Sequence, residues 1–133
     1  MCLRCRSLAA NTAYADIKVF KLLKVYDSYF VSPFVCITEG IFYKYEKGKN
    51  VPMETGIEPE LRENEDYVYP YRVEGGWLHA YIDENEAKRA LNMLEEGFPD
   101  EKFILVEMKI PGGAKYHIGS LGDICSTCLV WEE

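Results

Sequence analysis

The sequence predicts an α+β fold, a mostly antiparallel curved sheet carrying one main helix at about residues 83–96. Three observations predict it. "DIKVFKLLKVY" and "KFILVEMKI" are apolar runs rich in β-branched and aromatic residues. "DENEAKRALNMLEEGF" alone combines helical spacing with signals for both a start and a stop. The remaining apolar runs are short and bounded by Gly, Pro and Asn.

In chain order, Asp16 to Tyr26 is a long strand with Ile17, Val19, Leu23 and Val25 at alternate positions, a period that Lys18, Phe20 and Leu22 blur. "SPFVCI" and "GIFYKY" are shorter strand candidates, the second ended by the turn composition of "EKGKN". From Pro52 to Tyr71 three prolines and many carboxylates break every period, which predicts a long excursion from the domain body. "GGWLHAY" reads as a strand with Trp77, His79 and Tyr81 on one face.

Asp83 then supplies an N-cap, with Glu86 at the capping-box position and Gly97 as the stop; Ala87, Ala90, Leu91 and Leu94 form a stripe that packs closely on a sheet. Lys102 to Ile110 reads as a central strand covered on both faces. "PGGAKYHIGSLGD" is a Gly-rich connection in which His117 is expected to be exposed, and "CLVWEE" is a closing strand.

A chain of 133 residues, 48% apolar and 14% aromatic, is long enough for one domain with a real core. No stretch approaches the roughly 20 apolar residues that cross a bilayer, and the start carries no secretory pattern, so the expectation is a cytoplasmic protein. The net charge of −7, from 22 acidic against 15 basic residues, disfavours nucleic acid phosphates and anionic lipid as partners. A protein partner or a small ligand is left. The acidic stretches are a solvated surface or a docking face for a basic partner.

Four of the five cysteines fall in two C-x-x-C pairs, Cys2 with Cys5 and Cys125 with Cys128. Each pair can offer two thiolates to one ion, and two pairs make the four-thiolate set of a structural zinc site. Nearly the whole chain separates the pairs, so that site requires the termini to meet, with the first residues beside the closing strand. Buried or free thiols and a redox dithiol are the alternatives. The redox reading is the weaker, because neither pair follows a strand and opens a helix. Cys36, among apolar neighbours, reads as a small buried thiol.

The opening "MCL", the segment "DIKVFKLL", "EGGWLHAYIDENEAKRA" and "VEMKIPGGAKYHIG" resemble a group of short uncharacterised proteins of phages, prophages and gut bacteria. Those read M-C-L near the start, then D-I-x-V-Y-K, a Gly-Phe-His-Ser/Ala-Tyr core and I-P-x-G-x-K-Y. The resemblance implies a fold and a setting and no chemistry. This chain departs from it with Trp77 and Leu78 before His79, with Cys125 and Cys128 where small or polar residues are usual, and with Cys5. Two functions follow as expectations. One is a phage- or prophage-type accessory protein that binds and modulates, with zinc joining its termini at Cys2, Cys5, Cys125 and Cys128. The other is a nucleotide-using transferase like a small ADP-ribosyltransferase fold, with Trp77, His79 and Tyr81 gripping a dinucleotide. A concave pocket walled by those three residues favours the second.

Overall fold

A computed structural model describes residues 3–33, 43–52, 59–61, 68–69, 71–73 and 77–132. Its longest elements arise where the sequence pattern is longest. Strand β3 (Ile17–Tyr26) pairs along its whole length with β9 (Lys102–Ile110), antiparallel, from Ile17 opposite Ile110 to Val25 opposite Lys102. Alternation splits the pair into two faces. Ile17, Val19 and Leu23 join Ile104, Val106, Met108 and Ile110 in the main core. Phe20, Leu22 and Lys24 face the other way, where α1 (Glu84–Gly97) packs against β3, β9 and β8 (Leu78–Tyr81).

The helix starts as its sequence requires. Asp83 stays extended and its carboxylate accepts the Asn85 N–H at 2.9 Å, a cap worth about 1 kcal/mol. Glu86 stands at the capping-box position, and its Oε1 accepts from Arg89 at 2.9 Å. Ala87 is fully buried, while Ala90, Leu91 and Leu94 are half-buried. Phe98 closes the last turn, its N–H donating to the Leu94 carbonyl at 2.9 Å.

The sheet extends from this centre through short strands; those in "GGWLHAY" and "CLVWEE" are the expected ones, and the sequence does not announce the others. Its order is β2 (Asn11–Thr12), β10 (Lys115–Ile118), β11 (Asp123–Ser126), β8, β3, β9, β12 (Leu129–Trp131) and β5 (Gly48–Asn50), with β4 (Tyr29–Val31) also paired to β3. The ladders are antiparallel. A second sheet of three strands, β1 (Leu3–Cys5), β7 (Tyr71–Val73) and β6 (Glu60–Leu61), has the order β1-β7-β6. The architecture is therefore α+β, mostly antiparallel, with one helix among the described residues.

Three local devices build the unannounced strands. Asp27 and Ser28, at φ 46° and 71°, form the two-residue turn that folds β4 back on β3. Asn50 turns "EKGKN" from a simple turn into a strand. Its fully buried amide Nδ2 donates to the carbonyls of Glu46, Gly48 and Leu129, and its Oδ1 accepts from the Glu46 N–H and the Tyr43 hydroxyl. The Gly119 to Gly122 loop joins β10 to β11 as a hairpin, with Gly122 at φ 71°. Of the two candidate strands before residue 46, Phe34 to Phe42 lie outside the described residues, and Tyr45 makes only an isolated bridge to Phe30. Most of the expected excursion from 52 to 71 lies outside them too.

One residue breaks the core pattern. Lys21 sits on the core face between Val19 and Leu23 and opposite Val106, only 4% exposed. β8 is registered with β3 only at Tyr81 opposite Phe20. Beside that point the Lys21 Nζ donates to the His79 carbonyl at 2.6 Å and lies 5.0 Å from the Tyr45 ring centre. Burial lowers its pKa from 10.5 to about 7. Among the described residues no helix is long and apolar enough to cross a membrane.

Candidate functional site

Strand register assembles the chemistry-bearing side chains on the face of the large sheet opposite the main core. His117 on β10 is opposite Cys125 on β11, and Cys125 is opposite His79 on β8, so the three form a row across neighbouring strands. Tyr81 and Asp123 form the next row. The face is covered at the β10–β11 end by the small sheet: Leu3, Cys5 and Val73 pack with Cys125, and Tyr71 and Trp77 lie against them. Trp77 meets the His117 ring edge-to-face, with centroids 4.9 Å apart.

Trp77, His79 and Tyr81 thus share one face, as alternation predicts, and all three are half-buried. Trp77 belongs to the packing between the two sheets. Burial raises the Tyr81 phenol pKa, with the Asp123 and Glu86 charges adding to the effect.

The first described strand does not lie beside the closing strand as expected, but it reaches β11. β1 pairs with β7 and packs against β11, so Cys5 reaches Cys125 without lying beside the closing strand β12. Cys128, in the link between β11 and β12, has different neighbours: Lys49 and Tyr43 are the groups that sense its charge. Cys2 and Cys36 lie outside the described residues. Among the described residues no three His, Cys, Asp or Glu side chains stand at metal-ligand spacing.

Burial sets the protonation of this region. It raises the Cys5 thiol pKa, against the smaller lowering effect of the Ser7 backbone. It pushes Cys125 far above the ordinary thiol range, and it raises Cys128 against the nearby Lys49 charge. It lowers the His117 pKa, which favours the neutral imidazole. Thiols so held are protonated at neutral pH and weak as nucleophiles.

Behind the small sheet a cavity of about 400 Å³ opens between the β1–β2 segment and β10, with Cys5, Arg6, Asn11, Tyr69, His117 and Ile118 in its wall. His117, only 2% exposed, is the residue that sequence reasoning misplaced, and its Nε2 is buried without a hydrogen-bond partner. A buried polar atom in that condition costs roughly 1–3 kcal/mol, a cost that a hydrogen-bond partner would remove. Arg4 donates from Nε and Nη2 to the Tyr69 carbonyl, at 3.2 and 3.0 Å. The Arg6 guanidinium lies 5.0 Å from the Tyr69 ring centre, and its Nη2 donates to the Tyr69 hydroxyl at 3.3 Å.

A second depression of similar volume, lined by Asp16, Lys18, Glu107, Lys109 and Glu132, differs in kind. Lys109 already bridges Asp16 at 3.2 Å and Glu132 at 2.5 Å, and Lys18 lies 3.8 Å from Glu107. Its charges satisfy one another. Neither depression has Trp77, His79 or Tyr81 in its wall. No protein-family model, curated protein or solved structure matches the chain.

Proposed function

We propose that this is a small cytoplasmic accessory protein of the phage or prophage kind, which binds a small ligand in the Cys5–His117 cavity and modulates by binding. The observation that carries the reading is His117, a buried residue whose Nε2 has no hydrogen-bond partner and which lines a cavity whose volume is typical of ligand sites. The raised thiol pKa values at the same place support binding over covalent catalysis. The transferase alternative asks for a pocket walled by Trp77, His79 and Tyr81, and the His117 cavity is built from other residues.

Curvature of the sheet belongs to the same reading. β11 and β12 are joined by only Thr127 and Cys128, although four ladder steps separate them in the strand order. In a flat sheet four steps span about 19 Å. Three residues of chain reach about 10 Å. A sheet that bends over the main core, where Ile124 and Leu129 both pack, reconciles the two lengths.

The test is a fragment set screened by thermal shift and by backbone amide NMR on the full chain. Binding fragments are expected to move the resonances of Cys5, Asn11 and His117, and Ala10→Trp, which fills the cavity from its wall, is expected to abolish the response. Fragments that act equally on Ala10→Trp, or that move none of these resonances, contradict the reading.

One observation favours a second component, a structural zinc ion on Cys2, Cys5, Cys125 and Cys128: Cys5 and Cys125 are packed in one cluster. Such an ion would tie β1 to β11, and because its ligands must lose protons it would leave as the pH falls. Native mass spectrometry of untagged protein is expected to show one zinc, lost on Cys5→Ser or Cys125→Ser. The Cys128→Ser arm decides between a fourth ligand and a thiol of the Lys49–Tyr43 neighbourhood. Zinc-free protein with all its thiols titratable in the folded state rules the ion out.

A further inference from the structure

The walls of the cavity specify the charge of what it takes. We infer that the ligand is a small carboxylate with an apolar body, its anionic group received by Arg6 and by the Nε2 of His117. This rests on the cavity being the binding site. The chain carries a net charge of −7, yet among the described residues no Asp or Glu lines this cavity, and Arg6 is the charged side chain of the described wall. Arg6 is exposed, and its guanidinium rests on Tyr69. Tyr69 meets it by ring face and by hydroxyl, while Arg4 donates to the Tyr69 carbonyl. A guanidinium fixed in this way loses little further freedom when it meets a planar carboxylate, the group its fork of donors matches.

His117 supplies the second donor. Its ring is met edge-to-face by Trp77, and the tautomer with a proton on Nε2 offers one N–H to a carboxylate oxygen. Arg6 has no acceptor atom, and a neutral imidazole donating from Nε2 has none toward the ligand, so the pair fits an acceptor that carries negative charge. The remaining wall includes Ala9, Ala10 and Ile118. These apolar surfaces suit a hydrocarbon body, which a bare inorganic anion lacks.

The experiment is calorimetric titration of the full chain with paired probes: benzoate, cyclohexanecarboxylate and hexanoate, each with its primary amide, and inorganic phosphate. The acids are expected to bind at least about tenfold more tightly than their amides. Arg6→Gln should remove the advantage of the acids over their amides. His117→Phe, which keeps an aromatic ring against Trp77, should weaken the acids more than the amides. Phosphate should bind more weakly than any acid. Amides that bind as tightly as acids, or an Arg6→Gln protein that binds acids normally, overturn the anionic assignment and leave the cavity as a site. Phosphate matching the acids overturns the apolar body. Silence from every probe, together with a silent fragment set, overturns both this inference and the binding reading beneath it.

Discussion

Between pH 7 and pH 10 the folded state is expected to gain stability at about 1.4 kcal/mol per pH unit from Lys21 alone. Lys21 titrates at about 7 in the fold and at the ordinary lysine value of 10.5 when unfolded, because burial disfavours its charged form. Between the two values the unfolded chain holds a proton that the native chain lacks, so raising the pH favours the native state. Below about pH 7 both states are protonated and the full destabilisation is present; above about 10.5 it is gone. The whole effect is on the order of 5 kcal/mol, a large part of the 5–15 kcal/mol that holds a domain together. Urea unfolding at several pH values measures it. Lys21→Met should flatten the profile, more stable than the parent at pH 6 and less stable at pH 10, where the parent keeps the bond to the His79 carbonyl. Parallel profiles for parent and variant would show that Lys21 keeps an ordinary pKa.

Leu3→Ala should cost about 2–5 kcal/mol and abolish ligand binding as well. Leu3 is fully buried and fastens β1 to the large sheet with Cys5, Val73 and Cys125. A Cβ added at Gly119 would lie 2.8 Å from the Leu3 Cγ and 2.0 Å from the Asp123 carboxylate, so the two sheets meet here with no spare volume. Surroundings that tight relax little around a truncated side chain, which puts the cost towards the upper part of the range. The β1–β2 segment is also one wall of the cavity, so loosening β1 opens the site. Thermal melts with and without a bound carboxylate check both effects. A loss under about 1 kcal/mol with binding intact would mean that the small sheet does not form the wall.

What the sequence made legible follows the length of its patterns. β3, β9 and α1 each run nine residues or more and carry enough alternation or caps to be found, almost to their ends. β4, β5, β10 and β11 have three or four residues each, too few for a period, and their pairing comes from turns and from Asn50. The hairpin of β10 and β11 left one usable signal, two short apolar runs on either side of Gly119-Ser120-Leu121-Gly122. Missing it put His117 on the surface, when register places it beside Cys125 under Trp77. Lys21 falls at the unfilled position of the Ile17, Val19, Leu23 and Val25 alternation, and the bond of its Nζ to the His79 carbonyl shows what a lysine does there. The proximity of Cys5 and Cys125 was expected from their spacing, but the intermediary strand β7 lies beside the Pro-rich stretch, where no local pattern announces it.

The most direct measurement of the central claim is the imidazole nitrogen spectrum of the two histidines, recorded by ¹⁵N NMR as benzoate or another binding carboxylate is added. The account predicts a neutral His117 in the free protein and, on saturation, a ligand-dependent shift of its Nε2 larger than any shift at His79. A His117 that is charged at neutral pH in the free protein, or a saturated complex in which the His117 nitrogens keep their free positions, would contradict it.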